Sequence, residues 1–234
     1  MGELLYEGKA KQVYLTEDPT VVMVHYKDDA TAQNGLKRGT IAGKGVINNR
    51  MSNYLFQFLE QHGVPTHFIR ECNERDTLVR RVEIVPLEVI VRNIAAGSLA
   101  ERLGLPEGTI LPSTVLEFCY KNDALGDPMV NRYHIRAINL ATDAELDTIC
   151  SLALQVNTLL QQRLEQANLT LVDFKLEFGR YNGGILLADE ISPDTCRLWD
   201  TNTHEKLDKD RFRRDLGHTE EAYAEVMHRL GLEA

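Results

Sequence analysis

A strictly alternating segment, LVDFKLEFG at residues 171–179, most constrains how this chain folds. Apolar residues occupy every second position from Val172 to Phe178, and Asp173, Lys175 and Glu177 lie between them. In an extended strand, successive side chains point to opposite faces. The segment therefore predicts a strand that packs one face against a core and presents an acid, a base and an acid on the other.

A glycine-bearing turn follows, and residues 185–191 form a second apolar run that contains Asp189. Together the two runs predict a β-hairpin. With a five-residue loop at 180–184, Lys175 lies opposite Asp189, and Glu177 is a diagonal neighbour of Asp189 on the same face. Two carboxylates so placed suit one Mg²⁺ beside a nucleotide. The alternative is a half-exposed hairpin with solvated charges, which the apolar start of the second run disfavours.

Composition narrows the class of protein. The chain has 234 residues and a net charge of −9, so it has no general attraction to nucleic acid or to an anionic membrane. No apolar run approaches the ~18 residues of a membrane span, and the first residues lack the apolar core of a signal peptide. The four cysteines are widely spaced, which is typical of free thiols in a reducing compartment. We expect a cytoplasmic protein without nucleic-acid or membrane partners.

Residues 4–26 read as a hairpin and a third strand, with a turn that contains Gly8, Lys9, Ala10 and Lys11. A short glycine turn flanked by lysines is able to lie over phosphate groups, although Gly–Lys turns are also common without any ligand. Strand-like runs continue to a connection near Val82. We predict an α+β fold with a small β-rich lobe at residues 1–83 and a larger lobe at residues 84–234.

Two further segments carry charged residues with open interpretations. Ser98 is followed three residues later by Glu101, which is the pattern of a capping box and by itself accounts for the serine. A phosphate site at the same helix start, with Arg92 just upstream, is the functional alternative. Lys121 ends an aromatic strand, and the pattern alone gives it no role.

Thr142 and Glu145 form a second capping box, before apolar residues at helical spacing as far as Ala167. This pattern predicts a long helix that serves as core scaffold.

Several segments together resemble the phosphoribosylaminoimidazole-succinocarboxamide synthase family, also called SAICAR synthetase. Two are long signatures, PLEVIVRNIAAGS (Pro86–Ser98) and LVDFKLEFG (Leu171–Gly179). Five more occur in family order: YEGKAKQVY, GKGVINNR, KNDALGDPMV, DEISPDTCRLWD and DKDRFRRDLG. The similarity covers nearly the whole chain.

The resemblance implies a reaction, a fold and an assembly. The implied enzyme joins L-aspartate to the carboxylate of carboxyaminoimidazole ribonucleotide (CAIR) through an acyl phosphate, and it cleaves ATP to ADP and phosphate. The fold has two lobes with ATP in the cleft between them. Family members are often homo-oligomers, and a dimer is the form that we expect.

The resemblance also implies residue roles. Glu177 and Asp189 would hold Mg²⁺ on the ATP phosphates, and Lys175 and Lys11 are catalytic candidates together with Asp173. The nucleotide contacts would be Gly8, Lys9, Ala10, Lys11 and Lys121 on the phosphates, and Val13, Met23 and Val82 on the adenine.

On the substrate side, Arg92, Ser98 and Arg197 would grip the ribonucleotide phosphate. Asp173 would orient a reacting amine or a metal-bound water. Lys44 and the Asp28–Thr31 segment are expected near the aspartate substrate.

Two other functions use the same residue types. A small-molecule kinase with a related two-lobe fold would need a similar set of lysines and acids, and it would release ADP without aspartate. A regulator that only binds nucleotide would not need the Lys175, Glu177 and Asp189 set, so it is disfavoured.

Overall fold

The computed structural model describes residues 2–32 and 36–232. The N-terminal part holds seven strands and one helix. In chain order they are β1 (Leu4–Glu7), β2 (Lys11–Leu15), β3 (Val21–Tyr26), β4 (Asp29–Ala32), β5 (Lys37–Thr40), α1 (Lys44–Gln61), β6 (Phe68–Glu71) and β7 (Asp76–Arg80). Five of these strands form an antiparallel sheet in the order β1-β2-β3-β7-β6, and β4 pairs with β5 in a separate hairpin.

The C-terminal part contains a second sheet of seven strands with helices against it. In chain order its elements are β8 (Glu83–Ile84), β9 (Leu87–Ile94), α2 (Gly97–Leu103), β10 (Ile110–Tyr120), β11 (Met129–Val130), α3 (Arg132–Ala137), α4 (Asp143–Glu165), β12 (Leu169–Tyr181), β13 (Gly184–Ala188), β14 (Cys196–Asp200), α5 (Asp210–Arg213) and α6 (Thr219–Arg229). A 3₁₀ turn at Asp123–Leu125 follows β10. The fold class is therefore α+β, as the sequence predicts.

Strand β12 is the centre of the second sheet. Its first half pairs with β9 on one side and β14 on the other, and its second half pairs with β13 and β8. The apolar side chains of the alternating segment are all buried, as predicted. Asp173 and Glu177 are buried as well, at 4% and 3% exposure, so the charged face is covered rather than solvated. The half-exposed alternative for this strand is wrong.

One large apolar core joins the sheets to three helices. Phe174 and Leu176 of β12 belong to the same cluster as Met51 of α1, Ile149 of α4 and Tyr223 of α6. The α4 capping box is confirmed, since the Thr142 hydroxyl accepts the Glu145 backbone N–H at 3.2 Å. No helix within residues 2–32 and 36–232 is both long enough and apolar enough to cross a membrane.

The two sheets suggest where the lobes divide. The first sheet ends at Arg80 and the second begins at Glu83, so the boundary predicted between residues 83 and 84 falls inside β8. Because β8 pairs with β12, it belongs with the second sheet. We propose that the connection just before β8 is the junction between the lobes.

The hairpin of β12 and β13 has a register that differs by one residue from the predicted one. Glu177 pairs with Ala188 and Tyr181 pairs with Gly184. The turn therefore consists of Asn182 and Gly183 alone, whose φ angles are 49° and 78°. Positive φ at both central residues is typical of the two-residue turns that match the twist of a hairpin. The five-residue loop was a wrong prediction, and Lys175 does not lie opposite Asp189 in the ladder.

This turn generates a stability prediction. Gly183→Ala forces a β-carbon into the left-handed region, so we expect a loss of about 1 kcal/mol in the free energy of unfolding, measured by urea denaturation. Gly184→Ala is the matched control, because this neighbour is not among the glycines with positive φ and the nearest contact of an added β-carbon is at 3.6 Å. Equal losses for the two variants would contradict the two-residue turn.

Candidate active site

Lysines and carboxylates that lie on β2 and β12, or directly after β10 and β13, meet between the two sheets. The Lys175 ammonium lies 2.7 Å from a Glu177 oxygen and 3.5 Å from an Asp189 oxygen. Lys121 donates to the same Glu177 oxygen at 2.8 Å. Lys11, from β2 of the other sheet, donates to the second Asp189 oxygen. We call these five residues the lysine–carboxylate cluster. It brings together all the charged residues predicted to bind phosphates and metal except Lys9, which pairs with Asp123 outside it.

The electrostatics of the cluster favour its charged forms. Burial opposes ionisation of Asp189, but the charges of Lys11 and Lys175 outweigh burial and hold the pKa of this carboxyl below its usual range. Burial likewise opposes protonation of Lys175, yet Glu177, Asp189 and Glu88 raise the pKa of its ammonium well above the ordinary value. The pKa of Lys11 is raised against burial for the same reason, by Asp189 and Glu190. The lysines therefore keep their positive charge at neutral pH.

Asp189 reaches the cluster through its backbone conformation. Strand β13 ends at Ala188, and Asp189 directly after it has a φ of 61°, in the left-handed region. In the observed register, a regular strand would place Asp189 on the face opposite Glu177. The left-handed conformation turns its side chain back towards Glu177. Glu177 and Asp189 therefore contact one ammonium group although the predicted register was wrong.

A second part of the site is a cavity of about 350 Å³ beside the cluster, and Lys175 lines it. The strand register brings Asp173 opposite Arg92 on β9 and opposite Arg197 on β14. The Asp173 carboxylate accepts from each guanidinium at 2.9 Å. Arg92 also donates to the Ser98 hydroxyl at 3.1 Å. We call this the arginine cavity, and it contains all four residues predicted to contact the ribonucleotide or the reacting groups.

Ser98 does not cap a helix. The N-cap of α2 is Ala96, which makes no side-chain capping bond, and the Ser98 side chain turns to Arg92 instead. At Gly97, which has a φ of 49°, a β-carbon would lie only 2.3 Å from an Arg197 nitrogen. The capping-box interpretation is therefore wrong, and the missing side chain at Gly97 is what lets Arg197 approach the start of α2.

The β1–β2 turn lies at the edge of the cluster. The Gly8 N–H donates to the Lys11 carbonyl at 2.8 Å, and the Ala10 carbonyl accepts from the Lys27 N–H, which tie the turn to β3. Lys9 at its tip pairs with Asp123 at 2.8 Å and is half exposed. Lys11 and Lys9 thus face the second sheet from the turn, as a phosphate-covering loop requires.

The residues predicted to contact adenine do not share one surface. Val13 pairs with Val24, so both point to the face of the sheet that also carries Lys11. Met23 lies on the opposite face, because neighbours along a strand alternate. Val82 lies against Gly179, at the edge of the second sheet. Met23 therefore lies on the opposite face of the first sheet from Val13, and the adenine contacts stay a prediction. Val22 shares the face of Val13 and Val24 and is a further candidate.

Two residues expected near the aspartate substrate have structural partners instead. Lys44 is fully buried and donates to Asp194 at 2.9 Å. Asp28 accepts from both terminal nitrogens of Arg75, at 2.9 and 3.0 Å, and from the Gly45 N–H at 2.8 Å. Thr31, at the other end of that segment, does line the arginine cavity. Lys44 has no exposed surface, so it neutralises a buried carboxylate rather than facing a substrate. Its location near the aspartate substrate stays a prediction.

Sequence reasoning missed four charged residues that line the same cavity. Glu88, Ile90 and Arg92 occupy every second position of β9, so the strand period indicates that they share one face. Glu88 lies 3.2 Å from Lys175. Lys209 and Arg213 are four residues apart across α5. Asp194 binds Lys44 and Tyr223. No local pattern marks the last three, because they reach the cavity only through the tertiary fold.

The donor set for a metal ion is small. Within the described ranges, no group of three or more His, Cys, Asp or Glu residues is arranged to hold a metal. Glu177 and Asp189 offer two carboxylates. The neighbouring Glu190 has a buried oxygen, Oε2, that has no hydrogen-bond partner among the residues that the structure describes. Burial raises the pKa of Glu190. Such a donor set suits a cation that receives most of its ligands from phosphate and water.

The comparisons with known proteins agree on one family. The family model for SAICAR synthetase matches residues 4–230. A phosphoribosylaminoimidazole-succinocarboxamide synthase of Lachnoclostridium phytofermentans is 62% identical, over 99% of this chain and 98% of the relative. The corresponding synthase of Caldanaerobacter subterraneus is 60% identical, over 97% of each chain.

Solved structures give the same result. The crystal structure of the synthase from Ehrlichia chaffeensis has a TM-score of 0.97 and 45% identity, and the match covers 99% of this chain and 100% of that one. A SAICAR synthetase solved in complex with ADP has a TM-score of 0.95 and 47% identity, and the match covers 99% of both chains.

The buried Lys44–Asp194 pair generates a prediction. Lys44→Met leaves Asp194 as a buried carboxylate without its closest ammonium partner, so we expect a loss of about 3–5 kcal/mol in the free energy of unfolding. Tyr223→Phe is the control, since it removes one hydrogen bond to the same carboxylate and should cost about 1.5 kcal/mol. Urea denaturation of both variants measures the difference, and a smaller loss for Lys44→Met would contradict the structural role.

Proposed function

The chain belongs to the SAICAR synthetase family, and we propose how its lysine–carboxylate cluster and its arginine cavity share the reaction of that family. The reaction is an ATP-dependent ligation in purine biosynthesis, in which L-aspartate is joined to the carboxylate of CAIR to give SAICAR, ADP and phosphate. The observation that carries the division of roles is that Lys175 belongs to both parts of the site.

The chemistry requires activation of a carboxylate, which is a poor electrophile. A CAIR carboxylate oxygen attacks the γ-phosphorus of ATP, the bond to the β,γ-bridging oxygen breaks, and ADP leaves. The aspartate amine then attacks the acyl phosphate carbon, loses a proton and expels phosphate as the amide forms. Lys11 and Lys175 neutralise charge on the transferring phosphoryl group, since positioning and electrostatics are most of what phosphoryl transfer needs from protein.

The nucleotide binds along the face of the first sheet that carries Lys11. Gly8, Lys9 and Ala10 cover the phosphates from the β1–β2 turn, and Lys121 approaches them from the end of β10. Val13 contacts the adenine together with Val22, and Val82 closes the other side. The ADP complex of a relative at 47% identity supports nucleotide binding in this fold.

Mg²⁺ accompanies the nucleotide, and Glu177 and Asp189 hold it. When bound, the ion neutralises phosphate charge and orients the phosphoryl group. The carboxylates of the cluster and the unpartnered oxygen of Glu190 support this assignment. Lys121 and Lys175 hold Glu177 in place, and Lys11 holds Asp189.

The ribonucleotide lies in the arginine cavity. Arg197 and Arg92 face its phosphate, with the Ser98 hydroxyl beside them, since the planar guanidinium suits phosphate oxygens. Asp173 fixes both guanidinium groups by accepting a hydrogen bond from each. It also orients the reacting amine. The reacting carboxylate of CAIR then points towards Lys175, where the two parts of the site meet.

The protein acts in the cytoplasm as a homodimer, in line with the resemblance of its sequence to the family. Sedimentation velocity over a range of protein concentrations measures the assembly, and a monomer at all concentrations would contradict it.

The reaction itself is tested by ADP release with Mg²⁺, ATP and CAIR, in the presence and absence of L-aspartate. Sustained release that depends on aspartate is the expected result. Release that continues without aspartate would instead indicate a kinase or an uncoupled phosphatase.

Asp189→Asn tests the metal assignment. It keeps the size of the side chain and removes its charge, so we expect turnover to fall by at least about 100-fold, because several kcal/mol of charge stabilisation are lost. Asp147→Asn on the surface of α4 removes the same charge from a residue whose side chain is 69% exposed, and it should leave activity unchanged. Circular dichroism checks that both variants are folded. Near-normal turnover of Asp189→Asn would contradict the assignment.

Arg197→Ala tests the phosphate contact. We expect the KM for CAIR to rise by about 10–100-fold and the KM for ATP to change far less, because a charge-assisted hydrogen bond contributes about 1.5–3 kcal/mol. Arg229→Ala is a control of similar exposure, since Arg229 also binds a carboxylate, Asp200, and lies on α6. An equal effect of Arg197→Ala on both substrates would contradict the role.

A further inference from the structure

Asp189 holds a conformation that its own strand does not impose. The antiparallel pairing of β13 with β12 ends at Ala188, and Asp189 lies beyond that ladder with a φ of 61°. A non-glycine residue in the left-handed region costs about 1–2 kcal/mol and persists where surrounding contacts determine it. The contacts that fix Asp189 are therefore part of what places its carboxylate in the cluster.

The segment before β6 runs beside β13 and supplies such a contact. Leu187 donates its N–H to the Pro65 carbonyl at 2.9 Å, and the His67 N–H donates to the Leu187 carbonyl at 2.9 Å. Thr66 and Leu187 thus form a parallel bridge two residues before Asp189. The imidazole of His67 is buried and packs edge-on against Phe56, with the ring centres 5.3 Å apart. It lies close enough to Asp189 for the backbone of that residue to affect the pKa of the ring.

We propose that His67 is a positioning residue. Its ring N–H donates to the Asp189 carbonyl and holds Asp189 in the left-handed conformation that directs its carboxylate to Lys11 and Lys175. The inference rests on the proposed function in one respect, which is that Asp189 binds the metal–nucleotide complex.

A neutral imidazole suits this location. Burial and the nearby charge of Lys11 lower the pKa of His67 to about 3, so the ring is neutral at neutral pH and adds no positive charge beside Lys11. The bridge between Thr66 and Leu187 fixes the backbone of the segment, and Phe56 fixes the plane of the ring. The side chain is thus held on two sides while its N–H is directed at Asp189.

Calorimetric binding of Mg-ADP is the test, because it does not depend on the ligation chemistry. His67→Leu keeps an apolar side chain of similar bulk and removes the donor. We expect it to raise the Kd for Mg-ADP by about 10–100-fold, as is usual when a partner that orients a metal ligand is lost, with the KM for CAIR unchanged. His67→Gln and His67→Asn place an amide N–H at the distance of the outer or the inner ring nitrogen, and one of them should restore the wild-type Kd.

Thr66→Val is the matched control. It removes the hydroxyl that donates to Glu60 at 2.8 Å from the adjacent buried residue, so it weakens the same segment without touching Asp189. We expect a loss of thermal stability comparable to that of His67→Leu and an unchanged Kd for Mg-ADP. A stability loss alone therefore does not mimic the predicted effect.

Two results would overturn the proposal. One is a folded His67→Leu protein that binds Mg-ADP within about threefold of wild type. The other, which decides the matter even where the leucine variant does not fold, is that both amide variants weaken Mg-ADP binding by 10-fold or more.

A crystal structure of a folded variant without the donor gives a second readout, the φ of Asp189, which should leave the left-handed region. Absence of aspartate-dependent ADP release by the wild type would instead be a failure of the proposed function.

Discussion

The site depends on the ion pairs of the Lys175 ammonium group. It is held by carboxylates from its own strand, from β9 and from the residue that follows β13, at 2.7 to 3.5 Å. Burying a charge is costly unless it is paired and hydrogen-bonded, so these carboxylates and the ammonium require one another. Because the same side chain also lines the arginine cavity, the pairing fixes where the two halves of the site meet.

The fold and much of the site are predictable from local patterns. The alternation of residues 171–179 gives a buried strand, and the two charged signatures place Arg92, Asp173 and Lys175 on it or beside it. The pairing of β12 with β9 and β14 then brings Asp173 between two arginines, which follows from the strand period once the neighbours are known. The resemblance to the family grouped these residues in one site, but neither the resemblance nor periodicity predicted which strands are neighbours.

The errors have two physical origins, one in local turn chemistry and one in tertiary contacts. The register of the hairpin was missed because two residues, Asn182 and Gly183, suffice for a turn when both adopt positive φ. Ser98 satisfies a local capping pattern, yet a buried guanidinium is a stronger partner than a backbone N–H. Lys44 follows a glycine at a helix start, as anion-binding lysines often do. It pairs instead with the buried carboxylate of Asp194, 150 positions later in the chain.

The charge balance of the cluster gives a physical reason for a cation that arrives with the nucleotide. The ammonium groups of Lys11, Lys121 and Lys175 are matched by the carboxylates of Glu88, Glu177 and Asp189, so the lysines already have partners before any phosphate binds. A polyphosphate that entered alone would have to compete with those carboxylates for the same ammonium groups, in a site where burial strengthens repulsion. A polyphosphate that brings the proposed Mg²⁺ would supply a positive partner for Glu177 and Asp189, and the lysines would then be released to face the phosphoryl group. The proposed metal ion would thus favour the binding of ATP, because without it the carboxylates of Glu177 and Asp189 would repel the phosphates.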